Sequence, residues 1–297
     1  MKTRSRRPRT RGYAVFLLPG LLLSLLFLAV PLVMTFAYSF TQWQGIGSPV
    51  FTGLDNYTRL FDDADFWASF RNIGFVIAGM AVAPTLLGLF LSALLFDYVG
   101  KKHGDRVVTV LRSGLYLPQV IPVAVTGLMW GWILAPDGAA NSILDKIGLK
   151  SLSENWLGDP DLALWVVLAV LVWMQLGYPL VLFISGLQRI DPELYEAADL
   201  DGAAWWTRFT RITVPLLRPE IYVVLVTTTI AGLKVFAQIY VLTGGGPGNS
   251  TLVPSYFAYQ NFFERADVGY GSAISSTITL LVLVLAATFL TRQTRED

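Results

Sequence analysis

A short polar segment carries the residues whose types and spacing most clearly suggest a function. Residues 190–206 read Ile-Asp-Pro-Glu-Leu-Tyr-Glu-Ala-Ala-Asp-Leu-Asp-Gly-Ala-Ala-Trp-Trp and lie between two long apolar stretches. Asp191 is a good helix N-cap, Pro192 fits the first helical position, and Glu193 suits the positive end of the helix dipole. The segment therefore predicts a short helix that begins at Pro192.

The rest of this segment is suited to contact with another protein. Ala197 and Ala198 keep one flank of the helix slim, so that a partner's groove can approach the backbone, and Gly202 permits a sharp turn. A second helix should follow. Its apolar face is formed by residues at i, i+4 and i+7 spacing: Trp205, Phe209 and Ile212. On composition alone, an interfacial amphipathic loop without a partner is the simpler explanation.

A lysine stands within another apolar stretch, the fifth of the chain. Lys234 lies about fourteen residues into the predicted helix, or roughly 20 Å along it. A charge at that depth costs on the order of 3 kcal/mol, so it should face a wet cavity or a partner. Thr227, Ala231 and Gln238 share its helical face at i, i+4, i+7 and i+11 spacing, which predicts a mildly polar stripe.

Two interpretations of this stripe remain open. Lys234 and Gln238 can form a wall of a solute pathway and donate hydrogen bonds to solute hydroxyls. Alternatively, Lys234 is structural and bonds helix-end carbonyls or an acid of a partner subunit. In the fourth apolar stretch Gln175 and Gly177-Tyr178-Pro179 interrupt the run, and Tyr178 is a second candidate pathway residue. A proline kink with a packed tyrosine explains that element nearly as well.

The elements that must position these residues follow from composition. The 297-residue chain is 54% hydrophobic and only 14% charged, with a mean hydropathy of +0.55. A bilayer core about 30 Å thick needs roughly 20 residues of helix, because lipid offers the backbone no hydrogen-bond partner. Six suitable stretches predict an all-α integral membrane protein with one transmembrane domain, 1–297. The predicted spans are 13–38, 72–96, 113–135, 162–188, 221–243 and 269–291, with a cytoplasmic loop at 189–220.

The distribution of Lys and Arg predicts the orientation. Sixteen of the 22 basic residues fall in segments on the side of the N-terminus, and five fall in the opposite loops. By the positive-inside rule, both termini should be cytoplasmic. The Arg-rich start resembles a secretory signal, but the apolar run from Tyr13 to about Tyr38 is much longer than a signal core. It therefore predicts a retained first helix.

Several classes of protein are disfavoured by what the sequence lacks. There is no cysteine, and the single histidine, His103, lies in a charged loop, so neither a nucleophile nor a metal constellation is expected within the spans. The only Gly-Lys pair, Gly100-Lys101, does not form a phosphate-binding loop. We expect no enzyme activity in this chain. A secondary transporter is an alternative, but it should carry carboxylates within its helices, and the spans hold none.

The spacing within the loop gives a more specific indication. Glu196-Ala197-Ala198 is followed by Gly202 after three residues, then by Ile212 after nine more, and then by Pro215. This pattern resembles the Glu-Ala-Ala loop of binding-protein-dependent ABC importers, although Val214 stands where that family usually has leucine. Further similarities to the carbohydrate-uptake permeases, including the maltose and glycerol-phosphate types, run along nearly the whole chain. They are Gly53-Leu54-Asp55-Asn56-Tyr57, Phe66-Trp67, Pro118, Pro122, Trp130, Gly138, Asn141, Gly177-Tyr178-Pro179 and Thr243-Gly244-Gly245-Gly246-Pro247.

This resemblance implies a type I ABC importer permease, a multi-pass subunit of a bacterial-type inner membrane. Its implied partners are a second homologous permease, two ATP-binding subunits and an extracytoplasmic solute-binding protein, with no nucleic acid. ATP and Mg would be bound by the partner ATPase, and this chain would hold neither a cofactor nor a metal. The implied solute is a di- or oligosaccharide, and Lys234 leaves a glycerol phosphate or another polar solute open. In this interpretation Ala197 and Ala198 enter an ATPase groove, and Glu196 meets a polar or basic group there.

Overall fold

The computed structural model describes residues 14–293 of the chain, and about three quarters of the structure is helical. The Arg-rich start and the last four residues lie outside it, so the retained first helix is described only from Ala14. The α-helices, in chain order, are α1 Ala14–Ser24, α2 Val30–Tyr38, α3 Asp55–Asp62, α4 Ala64–Leu94, α5 Lys101–His103, α6 Asp105–Val120, α7 Val123–Ile133, α8 Ala139–Lys146, α9 Ala163–Gln175, α10 Gly177–Leu187, α11 Pro192–Leu200, α12 Trp205–Arg208, α13 Val214–Leu216, α14 Arg218–Leu233, α15 Ala237–Leu242, α16 Pro254–Tyr259 and α17 Val268–Gln293.

Short segments of other geometry join several of these helices. The π-helical segments are Leu25–Ala29, Leu95–Gly100, Phe209–Thr213 and Gln260–Glu264, and Lys150–Leu152 is a 3₁₀ turn. Two strands of two residues each, β1 Thr41–Gln42 and β2 Val50–Phe51, form an antiparallel pair. The chain is thus an all-helical protein apart from this small ribbon.

Two continuous helices are long and apolar enough to cross a membrane, namely Phe16–Tyr38 and Ala64–Gly100. Three further pairs of helices qualify when each bent pair is taken as one span, which gives up to five within the described residues. The sixth predicted span, 269–291, corresponds to α17, in which Val268–Val284 is a shorter apolar helix. Apolar helices thus overlap each predicted span, while the count of six spans stays a prediction.

Two of these bends lie at or near prolines. The axes of α6 and α7 differ by 99°, and the break falls at Ile121 and Pro122, which both have extended backbone. Proline removes a backbone donor and clashes with the preceding turn, so a helix cannot continue through Pro122 unchanged. The pair α9 and α10 bends by 42° at Leu176, three residues before Pro179. A proline kink, one of the two explanations left open for Gly177-Tyr178-Pro179, is therefore present next to that element.

The fifth predicted span differs from the expectation. We predicted one helix through Lys234, but α14 ends at Leu233 and α15 begins only at Ala237. Lys234 is the C-cap residue of α14, and its backbone N–H still donates to Ala231 at 3.2 Å. The prediction of a continuous helical face from Thr227 to Gln238 is therefore wrong, because an apolar run predicts burial but does not reveal where the backbone leaves the helix.

The chain divides into two compact units, and residues 64–257 form the larger one. Its central helix is α4, which packs against α9, α10 and α14. The crossing with α10 is close because Gly88 has no side chain: a Cβ there would lie 2.7 Å from the Cβ of Pro179. A cluster of buried residues joins α4, α10 and α14 to the segment before α14, comprising Leu89, Ala93, Phe183, Leu187, Phe209, Leu217 and Val224.

The second unit comprises residues 1–63 and 258–297, and its described part is organised by polar contacts. The buried amide of Asn56 donates to the carbonyls of Ser39 and Thr41 at 2.9 and 2.8 Å. The hydroxyl of Tyr270 donates to Asp63 at 2.6 Å, and its ring lies 3.9 Å under the guanidinium of Arg59. These contacts fix α3 against α17.

The packing of α4 makes a testable prediction. Gly88→Leu should destabilise the protein by roughly 1–3 kcal/mol, because the new side chain overlaps Pro179. Gly74→Leu in the same helix is the matched control, since a Cβ at Gly74 meets no atom within 4 Å. Thermal unfolding of both variants in detergent checks the prediction, which fails if the two unfold at the same temperature.

Candidate functional site

The loop at 189–220 contains the predicted short helix, α11, with well-defined ends. The carboxylate of the N-cap residue Asp191 accepts a hydrogen bond from the backbone N–H of Glu193 at 3.0 Å, and Pro192 occupies the first helical position. At the other end, the N–H groups of Gly202 and Ala203 donate to the carbonyls of Asp199 and Ala198. This pair of bonds is a Schellman motif, so both predicted helix signals are confirmed.

Position 202 favours glycine because of its backbone conformation, and not because a side chain would lack space. Its φ is +71°, in the left-handed region, yet an added Cβ would meet no atom within 4 Å. Residues with a side chain pay roughly 1–2 kcal/mol for this conformation. The glycine therefore sets the direction in which the chain leaves α11.

One face of α11 is open. Glu196 and Ala197 are exposed and Ala198 is half-buried. Leu194 and Leu200 are also exposed, by 47% and 90%. Large apolar side chains at the tip of a loop suit burial against another protein. Within the described residues this surface has no covering element.

The opposite face of α11 is tied to the helix that follows. Asp199 forms an ion pair with Arg208, and the hydroxyls of Tyr195 and Thr213 share a hydrogen bond of 2.9 Å. Burial raises the pKa of Tyr195 above its ordinary value, and the bond to Thr213 opposes that shift. The phenol thus remains protonated at neutral pH, and α11 is held by one charged and one neutral contact.

Trp205 links the loop to the end of the central helix. Its indole Nε1–H donates to the carboxylate of Asp97 at 2.9 Å, and Asp97 lies in the π-helical continuation of α4. The indole also stacks on Phe209, with ring centroids 5.2 Å apart and planes at 13°. Trp205 thus connects the loop to the end of α4 through a hydrogen bond.

The base of the loop is closed by a second ion pair. Arg189 follows α10 and pairs with Glu220 in the first turn of α14. The two helices come together at Gly186, where a Cβ would lie 2.5 Å from Leu217 and 3.2 Å from Glu220. Of the remaining motif residues, Ile212 and Pro215 are half-buried in the helical stretch before α14. They shape the return of the chain to the bundle.

A second candidate site is a cavity of about 220 Å³ within the larger unit, which we call the polar cavity. Its lining residues are Met80, Gln119, Val123, Leu171, Met174, Gln175, Ala231, Lys234, Val235 and Gln238. They come from α4 and from the three places where a span is interrupted. Broken helices expose backbone and polar side chains to such cavities, which is how many membrane transporters form solute sites.

The structure brings some of the predicted pathway residues together and not others. Lys234 and Gln238 both line the polar cavity in spite of the break between them. Tyr178 does not line it, because its half-buried ring packs against the buried cluster around Phe183. Thr227 is also outside it, and its hydroxyl donates to the carbonyl of Val223 at 2.8 Å.

Two lining residues were missing from the predicted site, Gln119 and Gln175. Both are uncharged polar residues inside apolar stretches, and this feature of the sequence could have identified them as candidates for a polar site. The sequence does not show that they face the same space as Lys234, because they belong to different spans. Among the described residues the buried carboxamide oxygen of Gln119 has no hydrogen-bond partner.

Comparison with known proteins identifies the class of this fold and site. The family model of the binding-protein-dependent transport system inner membrane component matches residues 85–294. The chain belongs to this family, which confirms the resemblance found in its sequence. It is therefore a membrane-embedded transport subunit and not an enzyme.

Individual relatives match over nearly the full length. A probable ABC transporter permease protein of Pyrococcus horikoshii is 34% identical over 287 residues, with 96% of each chain covered. The trehalose/maltose transport system permease protein of Thermococcus litoralis is 36% identical over 282 residues, covering 94% of this chain and 92% of the relative. The fold is similar to that of a chain in the crystal structure of a bacterial alginate ABC transporter in complex with an alginate pentasaccharide-bound periplasmic protein. The TM-score is 0.79, with 24% identity and 96% of each chain covered.

The hydrogen bond between Trp205 and Asp97 makes a second prediction. Trp205→Phe keeps an aromatic ring but removes the indole donor, so it should lower stability by about 1 kcal/mol. Trp206→Phe is the control, since that side chain is 60% exposed. Thermal unfolding in detergent compares the variants, and equal unfolding temperatures would show that the Trp205 contact carries no stability.

Proposed function

We propose that this chain is a permease subunit of an ATP-driven, binding-protein-dependent sugar importer and forms half of its translocation pathway. In this proposal the chain crosses the inner membrane six times, with both termini in the cytoplasm. The loop at 189–220 then faces the cytoplasm and docks on an ATPase subunit. The polar cavity is a station on the path of the solute.

One arrangement carries the proposal: an exposed helix, α11, is fastened to the helices that line the polar cavity. Trp205 bonds Asp97, and Met80 lines the cavity in the same continuous helix. Met80 and Asp97 are about 25 Å apart along this helix, at 1.5 Å per residue. The same loop continues into α14, whose C-cap residue is Lys234. A movement of α11 thus reaches the cavity along two rigid helices.

This connection supports a physical account of coupling. A nucleotide cycle can shift a permease between inward-open and outward-open states only through contacts that differ between those states. In our proposal, closure of the ATPase pair moves α11, and the ties from Asp199 and Trp205 carry that movement into the membrane. Glu196 and the small residues Ala197 and Ala198 form the contact with the ATPase groove.

The partners in this proposal follow from the family. They are a second homologous permease, two ATP-binding subunits that hold ATP and Mg, and an extracytoplasmic solute-binding protein. The relative from Thermococcus litoralis is a trehalose/maltose permease. The similar solved structure contains an alginate pentasaccharide-bound periplasmic protein. Both support a saccharide as the solute, and the solved structure supports a binding protein as its donor.

Substitution at Gly202 tests the coupling role. Gly202→Val should reduce ATP-driven uptake in proteoliposomes and the amount of ATPase retained on purification, because strain of roughly 1–2 kcal/mol redirects the chain after α11. Gly202→Asn should be milder, since asparagine enters the left-handed region more easily. Gly148→Val is the matched control: φ is +81° there, and a Cβ meets no atom within 4 Å.

The outcomes separate this function from its alternatives. Equal uptake by the Gly202→Val and Gly148→Val variants would refute the coupling role of the turn. Solute movement by the purified chain alone, without ATP or any ATPase subunit, would refute the whole proposal in favour of a secondary transporter.

A further inference from the structure

The charge balance of the polar cavity points beyond a neutral sugar. Lys234 is the only charged residue among those that line the cavity. The predicted spans contain no aspartate or glutamate. Within residues 14–293, the ammonium group of Lys234 has neither a hydrogen bond nor an ion pair with another side chain. The cavity therefore has a positive charge without a matching negative charge from the helices around it.

The position of Lys234 makes this imbalance significant. The residue is exposed on the surface of the isolated chain, and it lies within the predicted span 221–243. A lysine facing lipid at this depth is strongly disfavoured, and its placement at the C-terminal end of α14 offsets only part of that cost. An anionic solute that enters the cavity would neutralise the ammonium group of Lys234, because the predicted spans offer no aspartate or glutamate to do so.

The other polar lining residues are neutral amides. Gln119, Gln175 and Gln238 each offer a carbonyl oxygen and an NH₂ group, which suit the donor and acceptor roles of a hydroxyl. The oxygen of Gln119 is buried and has no partner among the described residues. The volume of about 220 Å³ lies below the 300–1,000 Å³ typical of sites for drug-sized ligands. These properties fit one hydroxylated ring at a time.

We propose that the polar cavity selects a saccharide that bears an anionic group, with Lys234 pairing the anion and the three glutamines binding hydroxyls. This inference rests on the proposed transport function and specifies the substrate class of that site. The anion is a carboxylate, a sulfonate or a phosphate on a sugar ring. All three accept charge-assisted hydrogen bonds from a lysine ammonium.

Probes that differ in one group test the proposal. Methyl glucoside, methyl glucuronide and glucose 6-phosphate are titrated against the assembled importer, and binding is measured by ligand-observed saturation-transfer NMR. We expect the two anionic probes to bind about tenfold more tightly than the glucoside, as one charge-assisted hydrogen bond allows. Comparison of the glucuronide and the phosphate shows which anion the cavity prefers.

Substitutions at Lys234 test whether this residue causes the preference for anionic probes. Lys234→Gln should abolish it, and Lys234→Arg should retain it. Lys102→Gln, at an exposed position outside the cavity, is the control. Because every variant shares the same partner subunits, a difference among them reports on this cavity and not on the solute-binding protein.

Chemical restoration of the charge gives an independent readout. The natural chain has no cysteine, so Lys234→Cys provides a single reactive thiol in this subunit. An aminoethyl thiosulfonate reagent forms a mixed disulfide that restores an ammonium group, while the hydroxyethyl reagent adds a neutral group of similar size. The anion preference should return with the first reagent and not with the second.

Equal affinity for the three probes, or a preference that survives Lys234→Gln, would overturn the proposal. A partner acid that neutralises Lys234 would give the first of these results. Neither result alters ATP-driven uptake or its dependence on Gly202. Failure of this inference is therefore distinguishable from failure of the proposed transport function.

Discussion

The constraint behind this structure is that lipid cannot hydrogen-bond to a peptide group. Every backbone donor and acceptor in the apolar core must be satisfied within the protein, so long apolar stretches become helices. An interruption of a helix is tolerated only where protein or water covers the released groups. In this chain three interruptions, at Ile121-Pro122, at Leu176 and at Lys234, surround one cavity. The constraint that dictates helices thus also explains why their breaks are gathered in one place.

Close contact among the helices makes this arrangement specific. Without a strong hydrophobic force between helices inside a membrane, packing depends on small residues that allow backbones to approach. Gly88 allows α10 to contact α4, and Gly186 allows α14 to approach α10. Two neighbours of the central helix also line the cavity: α9 contributes Gln175, and α14 contributes Ala231 and its C-cap residue Lys234. A change in their packing changes the cavity.

The loop at 189–220 is built differently from the membrane-embedded helices. Its helix α11 is short and exposed, and its stability depends on capping, on the ion pair of Asp199 and on the bond between Tyr195 and Thr213. These contacts fix the orientation of α11 while its outer face remains open. Such a surface can bind a partner without rearranging its own support. In the proposed coupling, transmission depends on Trp205, whose indole donates to Asp97.

Local signals were sufficient for much of this structure. The apolar stretches predicted the helices, because burial in lipid requires a long run of nonpolar residues whatever their neighbours are. Asp191 and Gly202 predicted the two ends of α11, since capping and a positive φ are properties of a few adjacent residues. The Glu-Ala-Ala pattern likewise predicted the family, which the comparisons confirmed. The docking role of Glu196 remains a prediction.

Only the tertiary structure decided which distant residues share a site. Gln119, Gln175 and Lys234 lie on different spans, so no spacing along the chain relates them. The sequence also favoured an unbroken fifth helix, whereas the chain leaves the helix at Lys234. Tyr178 stays a predicted pathway residue, and the structure shows its ring packed against the buried cluster. Local sequence determined which segments become helices and how they end. The helix crossings, which depend on side chains far apart in sequence, decided which faces meet around the cavity.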